Sequence, residues 1–376
     1  MKKAIIFGVT GQDGAYLARF LLQKGYEVFG VSRRTSLPNN ERLTRLGVTL
    51  YPEYRSVRGD VTDAASVHRI ISMVASQSDV EIYNLAAQSH VGDSFHEPTH
   101  TTNATYLGAL NCLEAINSIT PRHKVRFYQA GSSEMFGSAC SARKAPDLGD
   151  PEGYQGQRRD FPQGMPSSHR AFYFEPFQDE LTPMLPNSPY AIAKLAAHHL
   201  VRVYRESYCL FACSGILFNH ESEYRGENFV TRKISMHVAR CAEQQVRGLP
   251  LPVLELGNIH AKRDWGHAED YVRGMWLMLQ QETPDDYVLA TGETHSVEQF
   301  YREAFAVAGI ENYQVAYSSE HDRPCEVPYL RGLATKAHQK LGWKPEINFT
   351  QLVKRMVYAD MSRCPLLPAN PTKMEL

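Results

Sequence analysis

The 376-residue chain reads as an α/β protein, a doubly wound parallel sheet with a smaller, mostly C-terminal α/β region attached. Strand-like apolar runs alternate with helical patterns through the first two thirds, a rhythm whose crossovers suit a parallel sheet. A glycine-rich turn joins the first strand to the first helix. Beyond about Gly248 strands become fewer and short helices dominate.

Ala4–Gly8 is a short apolar strand, and Gly14–Lys24 repeats apolar residues at helical spacing through Tyr16, Leu17, Phe20 and Leu21. Gly25 closes that helix and Glu27–Val31 supplies the next strand. Further strands fit Val57–Gly59, Ile82–Ala86, Val125–Ala130 and Phe211–Phe218, with helices at Ala64–Ser76, Thr102–Asn117, Pro189–Glu206 and Phe229–Gln245. Later helices fit His267–Gln280, Val297–Val307 and Phe349–Met361. Residues 1–218 thus form the sheet domain and 219–362 mainly a second domain interleaved with it, while 363–376 reads as a flexible tail. Between Gly137 and Pro186 lie Pro, Gly, Ser and charged residues without periodicity, an unusual insert spanning about 138–176. Phe172, Tyr173, Phe174 and Phe177 imply that its end packs on something.

Charge and cysteine usage exclude several classes. With 40 Lys+Arg against 41 Asp+Glu, no nucleic-acid or anionic-membrane partner is expected. The apolar share of 43% supports a substantial core. Seven cysteines without framework spacing argue against a disulfide scaffold and for a reducing, cytoplasmic setting. Only Ala4–Phe7 are apolar before Gly8 interrupts, too short for a signal peptide. No His/Cys cluster has zinc spacing, so no metal is expected.

The turn Gly8-Val9-Thr10-Gly11-Gln12-Asp13-Gly14 sits where a dinucleotide's pyrophosphate meets a helix N-terminus. Gly8, Thr10, Gly11, Gln12 and Asp13 are its candidate cofactor contacts. The second strand ends Val31-Ser32-Arg33-Arg34-Thr35-Ser36, without the acidic residue of an NAD site. Arg33 and Arg34 favour NADP, since guanidinium pairs with the 2′-phosphate through a fixed fork; the competing reading is a solvated basic turn. Ser132 and Glu134 follow Val125–Ala130 at the sheet's carboxyl edge, on one side if strand geometry persists. Tyr190 and Lys194, four apart, share a helical face. The ammonium, with a nicotinamide's positive charge, would lower the phenol pKa and let Tyr190 act as a base.

Gly turn, strand-end Ser and Tyr-x-x-x-Lys in this order resemble the extended short-chain dehydrogenases/reductases, with their Rossmann-like sheet. Closer likeness lies in Tyr83-Asn84-Leu85-Ala86-Ala87-Gln88-Ser89-His90-Val91, Phe218-Asn219-His220-Glu221-Ser222, Asn228–Ile234, Ala261–His267, Arg323–Val327 and Lys340–Pro345. These resemble the GDP-mannose 4,6-dehydratase family from Lys3 to about Asp360. The resemblance implies a redox-neutral lyase with tightly held NADP: Tyr190 takes the 4-hydroxyl proton as hydride leaves C4, and Glu134 removes the C5 proton and helps expel the 6-hydroxyl as water. Hydride then returns to C6, giving a 4-keto-6-deoxy sugar.

The same resemblance implies cofactor contacts at Asp60, Val61, Leu85, Ala86, Ala87, Ser89, Tyr190, Lys194, His220 and Arg225. It implies sugar-nucleotide contacts at Ser89, Ser132, Glu134, Asn219, Asn228, Lys233, Arg263, Arg323 and Glu326. Arg33–Arg42 is similar to a loop that reaches a neighbouring subunit's cofactor, so a homotetramer or homodimer is implied. Departures are Ser132 in place of Thr, His100 of Tyr, Leu333 of Asp, and the insert. The rival readings are a 4,6-dehydratase of another GDP-sugar such as a heptose, an epimerase or 4-reductase, and a dinucleotide-binding scaffold or sensor. Glu134 counts against the reductase, and the intact Ser132, Glu134, Tyr190 and Lys194 set against the scaffold.

Overall fold

Ala4, Ile5, Ile6 and Phe7 are all buried, so the first strand faces core on both sides, as a strand covered by helices on both faces must. The computed structural model describes residues 1–37, 39–75, 78–119, 124–139, 176–321, 324–364 and 366. Its main sheet comprises β1 (Lys3–Phe7), β2 (Glu27–Ser32), β3 (Tyr54–Arg58), β4 (Val80–Asn84), β5 (Val125–Ala130), β6 (Phe211–Leu217) and β7 (Tyr287–Leu289). The strands run in the order β7-β6-β5-β4-β1-β2-β3, every neighbouring pair parallel. Strand order reverses beside β1, where Phe7 stands opposite Val31 and Asn84. That reversal opens the crevice in which such sheets bind ligands.

Alternation along β1 divides the core. Ala4 and Ile6 pack with the helices Gln12–Gln23 and Ala268–Met278, while Ile5 and Phe7 pack with Ala64–Ala75, Gly108–Ser118 and part of Pro189–Tyr208. A separate core gathers Ile234, Val238, Phe300, Phe305, Leu352 and Met356 from the later helices Val230–Val246, Val297–Val307 and Phe349–Met361, with Trp265 from the short strand Trp265–His267. Short ladders complete this second region: Asn219–Glu221 with Trp265–His267, Leu254–Leu256 with Val315–Tyr317, and Lys262–Arg263 with His295–Ser296. Among the described residues no helix is long and apolar enough to cross a membrane.

Three expectations need correction. The helix expected at Thr102–Asn117 is instead Pro98–Thr102, a widened π segment Asn103–Leu107, then Gly108–Ser118. Gly108 lies so close to Val61 that a Cβ there would stand 2.9 Å from Val61 Cγ2. The third strand begins at Tyr54 rather than Val57. The fourth ends at Asn84, leaving Leu85 and Ala86 as extended chain beyond the sheet.

Most of the insert, with Phe172, Tyr173 and Phe174, lies outside the described residues; Phe177 is buried. Its base is well defined. The Gln178 side chain donates to Ala139 O at 3.1 Å, and Asn187 Nδ2 to Ser138 Oγ at 2.9 Å. Gln178 also exchanges backbone hydrogen bonds with Arg331 and Leu333 at 2.8 and 2.9 Å. Two residues on, Glu180 Oε1 accepts from Val288 N at 2.8 Å, covering the outer edge of β7.

Candidate active site

The Gly turn is tight because three chain segments meet there. Gly8 has φ +83°, and a Cβ on it would lie 2.9 Å from Ala86 N; a Cβ on Gly14 would lie 2.3 Å from Gly8 O. Only glycine allows both approaches. The helix after the turn starts from Gly11, and no side chain caps it. A helix N-terminus without a side-chain cap, reached through the glycines Gly8 and Gly11, fits a dinucleotide's pyrophosphate. Arg33 and Arg34 extend from the end of β2, exposed, on the same edge of the sheet.

Gln12 and Asp13 are otherwise engaged. Gln12 Nε2 donates to Asp13 Oδ1 at 3.0 Å and to His220 O at 3.1 Å, while Ser222 Oγ donates to Gln12 Oε1 at 2.7 Å. Asp13 Oδ2 is 2.7 Å from His220 Nε2. Burial alone would raise the Asp13 carboxyl, but His220, Gln12 and Arg225 together hold it down at about 2. These contacts fasten the Gly turn to the segment that carries Asn219 and Arg225. Arg225 pairs with buried Glu221 at 3.0 Å and lies 3.6 Å over the Phe229 ring.

At the end of β5 the expected strand geometry stops. Ser132 accepts from Glu134 N at 3.2 Å and caps a 3₁₀ turn, Ser133–Phe136. That turn, rather than strand alternation, brings Ser132 and Glu134 together; both are buried. Ser188 caps the helix Pro189–Tyr208 through Ala191 N at 3.1 Å, with Pro189 in its first turn, and this sets Tyr190 at the helix entrance. Lys194 Nζ lies 5.8 Å from the Tyr190 ring centroid and donates to Ala130 O at 2.7 Å.

Against the expected depression, burial pushes the Tyr190 phenol up to about 12; a Ser132 hydrogen bond eases it down and the Glu134 charge adds to the rise. Burial also pulls the Lys194 ammonium down to about 8, with the Asp13 charge opposing. Ser132, Glu134, Tyr190 and Lys194 therefore form one buried, interacting group at the carboxyl edge of the sheet.

The remaining candidates are distributed around it. Asp60 turns an oxygen onto Thr62 N and Oγ1 at 2.9 and 2.8 Å, and Val61 is buried against Gly108. Leu85, Ala86 and Ala87 are half-buried beside the Gly turn, and Ser89 is exposed. Asn219 Oδ1 is buried without a hydrogen-bond partner among the described residues. Asn228 is exposed. Burial lowers the Lys233 ammonium, with Glu255 pulling it back, and Lys233 hydrogen-bonds His321. Arg263 is buried and ion-paired with Glu326. Glu326 borders a cleft of about 690 Å3 together with Gly257, Asn258, Tyr301 and Tyr317; Ser132, Glu134 and Tyr190 do not line it. Arg323 lies outside the described residues.

Glu221, Ser222 and Arg42 also hold the site, and the sequence assigns Glu221 and Ser222 no individual role. Arg42 donates to Tyr224 O at 2.8 Å and Thr10 O at 3.2 Å, so the segment expected to reach a neighbouring subunit also grips its own Gly turn. The Glu221–Arg225 spacing of four was the one visible signal.

Comparison with known proteins gives a consistent picture. The family model described as GDP-mannose 4,6 dehydratase matches residues 5–146 and 173–356. GDP-mannose 4,6 dehydratase 1 of Arabidopsis thaliana is 45% identical over 368 residues, 96% of this chain and 90% of that protein. The dTDP-glucose 4,6-dehydratase of Streptomyces venezuelae, solved with NAD and TYD bound, superposes with a TM-score of 0.73 at 19% identity, covering 97% of this chain and 99% of that one. RMD from Pseudomonas aeruginosa, complexed with NADPH, gives 0.67 at 19% identity over 96% of this chain and 100% of its own. At such identities the two solved structures speak for the fold.

Proposed function

The chain belongs to the GDP-mannose 4,6 dehydratase family, and from that premise we propose how its residues divide the work of the reaction. It is a sugar-nucleotide 4,6-dehydratase that removes water from GDP-mannose to give GDP-4-keto-6-deoxy-mannose. Bound NADP supplies the chemistry of taking a hydride from C4 and returning it to C6. Gly8, Thr10, Gly11 and the Leu85–Ala87 stretch hold its pyrophosphate and ribose. Arg33 and Arg34 favour NADP over NAD, because two exposed guanidiniums suit a 2′-phosphate.

Ser132 holds the sugar's 4-oxygen, and Tyr190 takes the 4-hydroxyl proton. A phenol at about 12 with Lys194 already beside it is a poor base at neutral pH, and the positive charge of an oxidised nicotinamide would lower it further. The 4-ketone so formed acidifies C5–H. Glu134 removes that proton and delivers one to the departing 6-hydroxyl, so water leaves with no net proton change. When hydride is restored at C6, the resulting enolate takes a proton from solvent at C5 while Tyr190 releases to solvent the proton it took from the 4-hydroxyl, so the protons balance and the product keeps the 4-ketone. Residues 219–362 supply most of the sugar-nucleotide side, with Asn219, Lys233, Arg263, Arg323 and Glu326 toward the diphosphate and ribose. The protein works in the cytoplasm as a homo-oligomer.

The observation that supports this division most is the buried grouping of Ser132, Glu134 and Tyr190, since an epimerase or reductase has no need of Glu134. Purified protein mixed with GDP-mannose, without added reductant, should yield a product lighter by one water in mass spectrometry. Glu134→Gln should still bind NADP while dehydration falls by about 100-fold or more. Unchanged turnover in that variant would remove Glu134 from the mechanism.

A further inference from the structure

A carboxylate in the first turn of the Gly-turn helix is an awkward neighbour for a diphosphate. Asp13 occupies that position, two residues beyond Gly11, and stays charged. Its own helix end favours the charge. Two phosphates arriving at the same helix end would be repelled by it.

The structure holds the answer to that repulsion in His220. One ring nitrogen, Nε2, faces Asp13 Oδ2 at 2.7 Å, and the other, Nδ1, faces Phe218 O at 2.7 Å. A carbonyl and a carboxylate only accept, so both nitrogens carry protons and the ring is an imidazolium. His220 stacks on Tyr271, centroids 4.5 Å apart, which fixes the ring against Asp13. Gln12 and Ser222 brace the same junction. We propose that Asp13 and His220 form a charge-compensating clasp, in which the imidazolium cancels a carboxylate that would otherwise weaken dinucleotide binding at the Gly turn. This rests on the reading of the Gly turn as a dinucleotide site.

Direction of the pH effect follows from the surroundings. Burial works against the His220 charge, but Asp13 and the Phe218 carbonyl outweigh it and raise the imidazole above 6.5. Arg225 bears on both members, opposing the His220 charge and favouring that of Asp13. Lys194, Tyr190 and Tyr128 face Asp13 from the helix Pro189–Tyr208 and from β5. Tyr271, on Ala268–Met278, also feels Asp13. Dinucleotide affinity should therefore be highest below the His220 titration and fall as pH rises through it, with proton uptake on binding in that range.

The test is the dissociation constant of NADP for the full chain, stripped of bound dinucleotide, measured by calorimetry from pH 6 to 9. Wild type should weaken about tenfold across the alkaline side. His220→Gln should bind about tenfold more weakly than wild type at pH 6.5 and show a flat profile. Asp13→Asn/His220→Gln should regain most of that affinity, because removing the carboxylate removes the need for the cation. If His220→Gln does not fold, Asp13→Asn decides alone: affinity equal to or above wild type with a flat profile supports the clasp, and a wild-type pH profile overturns it. Failure of the double variant to recover would also overturn it, leaving His220 as a direct contact. A wild-type chain that binds no dinucleotide at all would overturn the site reading and the clasp together.

Discussion

Lys194 shows how a residue can serve chemistry at the expense of the fold. Its ammonium is buried, donates to Ala130 O at 2.7 Å, and is held at about 8 instead of 10.5. The unfolded chain thus binds this proton more tightly than the folded one. The cost to the fold is full below about pH 8 and is relieved as pH rises from about 8 to about 10.5. Lys194→Met should raise stability at neutral pH by about 1–3 kcal/mol, after loss of the Ala130 hydrogen bond. It should also flatten stability between those pH values and lower dehydration by about 100-fold or more. Calorimetry across pH, paired with the water-loss assay, checks both halves; a less stable variant at pH 7 would refute the argument. Residues of this kind were legible from sequence because their spacing is local: Ser132 and Glu134 two apart, Tyr190 and Lys194 four. Ser222 was not, because its partner Gln12 is 210 residues away and nothing in either neighbourhood announces the other.

Among elements, strands and helices of strong period were readable to within a few residues, whereas their ends depended on contacts from elsewhere. The π segment Asn103–Leu107 precedes a close approach to Val61 that no local pattern encodes. The insert is the clearest case. Its sequence has no period, yet its two ends are joined by the Gln178–Ala139 and Asn187–Ser138 hydrogen bonds and anchored on Arg331 and Leu333. The unmatched stretch of the family model, between residues 146 and 173, falls inside it. Replacing residues 140–175 with a short Gly/Ser linker should therefore leave the melting temperature within a few degrees of wild type, since the closure it must span is already made. A drop beyond about 10 °C in a thermal scan would mean that the excised residues carry packing of their own. Comparing kcat and KM for GDP-mannose in the same variant then reports whether the insert touches catalysis.

At the scale of the whole molecule, the sheet and the later region are joined by β7, by the helix Ala268–Met278 packed on the sheet, and by the contacts of Gln12 and Asp13 with Ser222 and His220. Asp286, just before β7, accepts from Arg205 through both oxygens, at 2.9 and 2.7 Å, and from Ser214 N at 2.9 Å. Asp286→Ala would leave that guanidinium unpaired and half-buried, at a cost of about 2–4 kcal/mol. Trp265 lies in the later core, whereas Trp276 donates to Tyr26 Oη at 3.0 Å and Trp343 sits in the core shared with the sheet, so tryptophan fluorescence follows the later region and its junction while far-ultraviolet dichroism follows the whole. In the wild type the two signals should melt together. Separate transitions would show that β7 and the contacts beside it do not couple the regions. Charge balance says nothing about this coupling. It lies in β7 and its bidentate pair, in the packing of Ala268–Met278 on the sheet, and in the Asp13–His220 and Gln12–Ser222 contacts.

The lateness of β7 has a consequence for how the molecule is made. β6 ends at Leu217, and the strand that covers its edge begins at Tyr287, about seventy residues later. A ribosome adding about 5–20 residues per second would leave β6 as a bare edge for several seconds on every nascent chain. Until Tyr287–Leu289 emerges, that edge can pair with any extended segment nearby, including the same strand of another nascent chain on the same message.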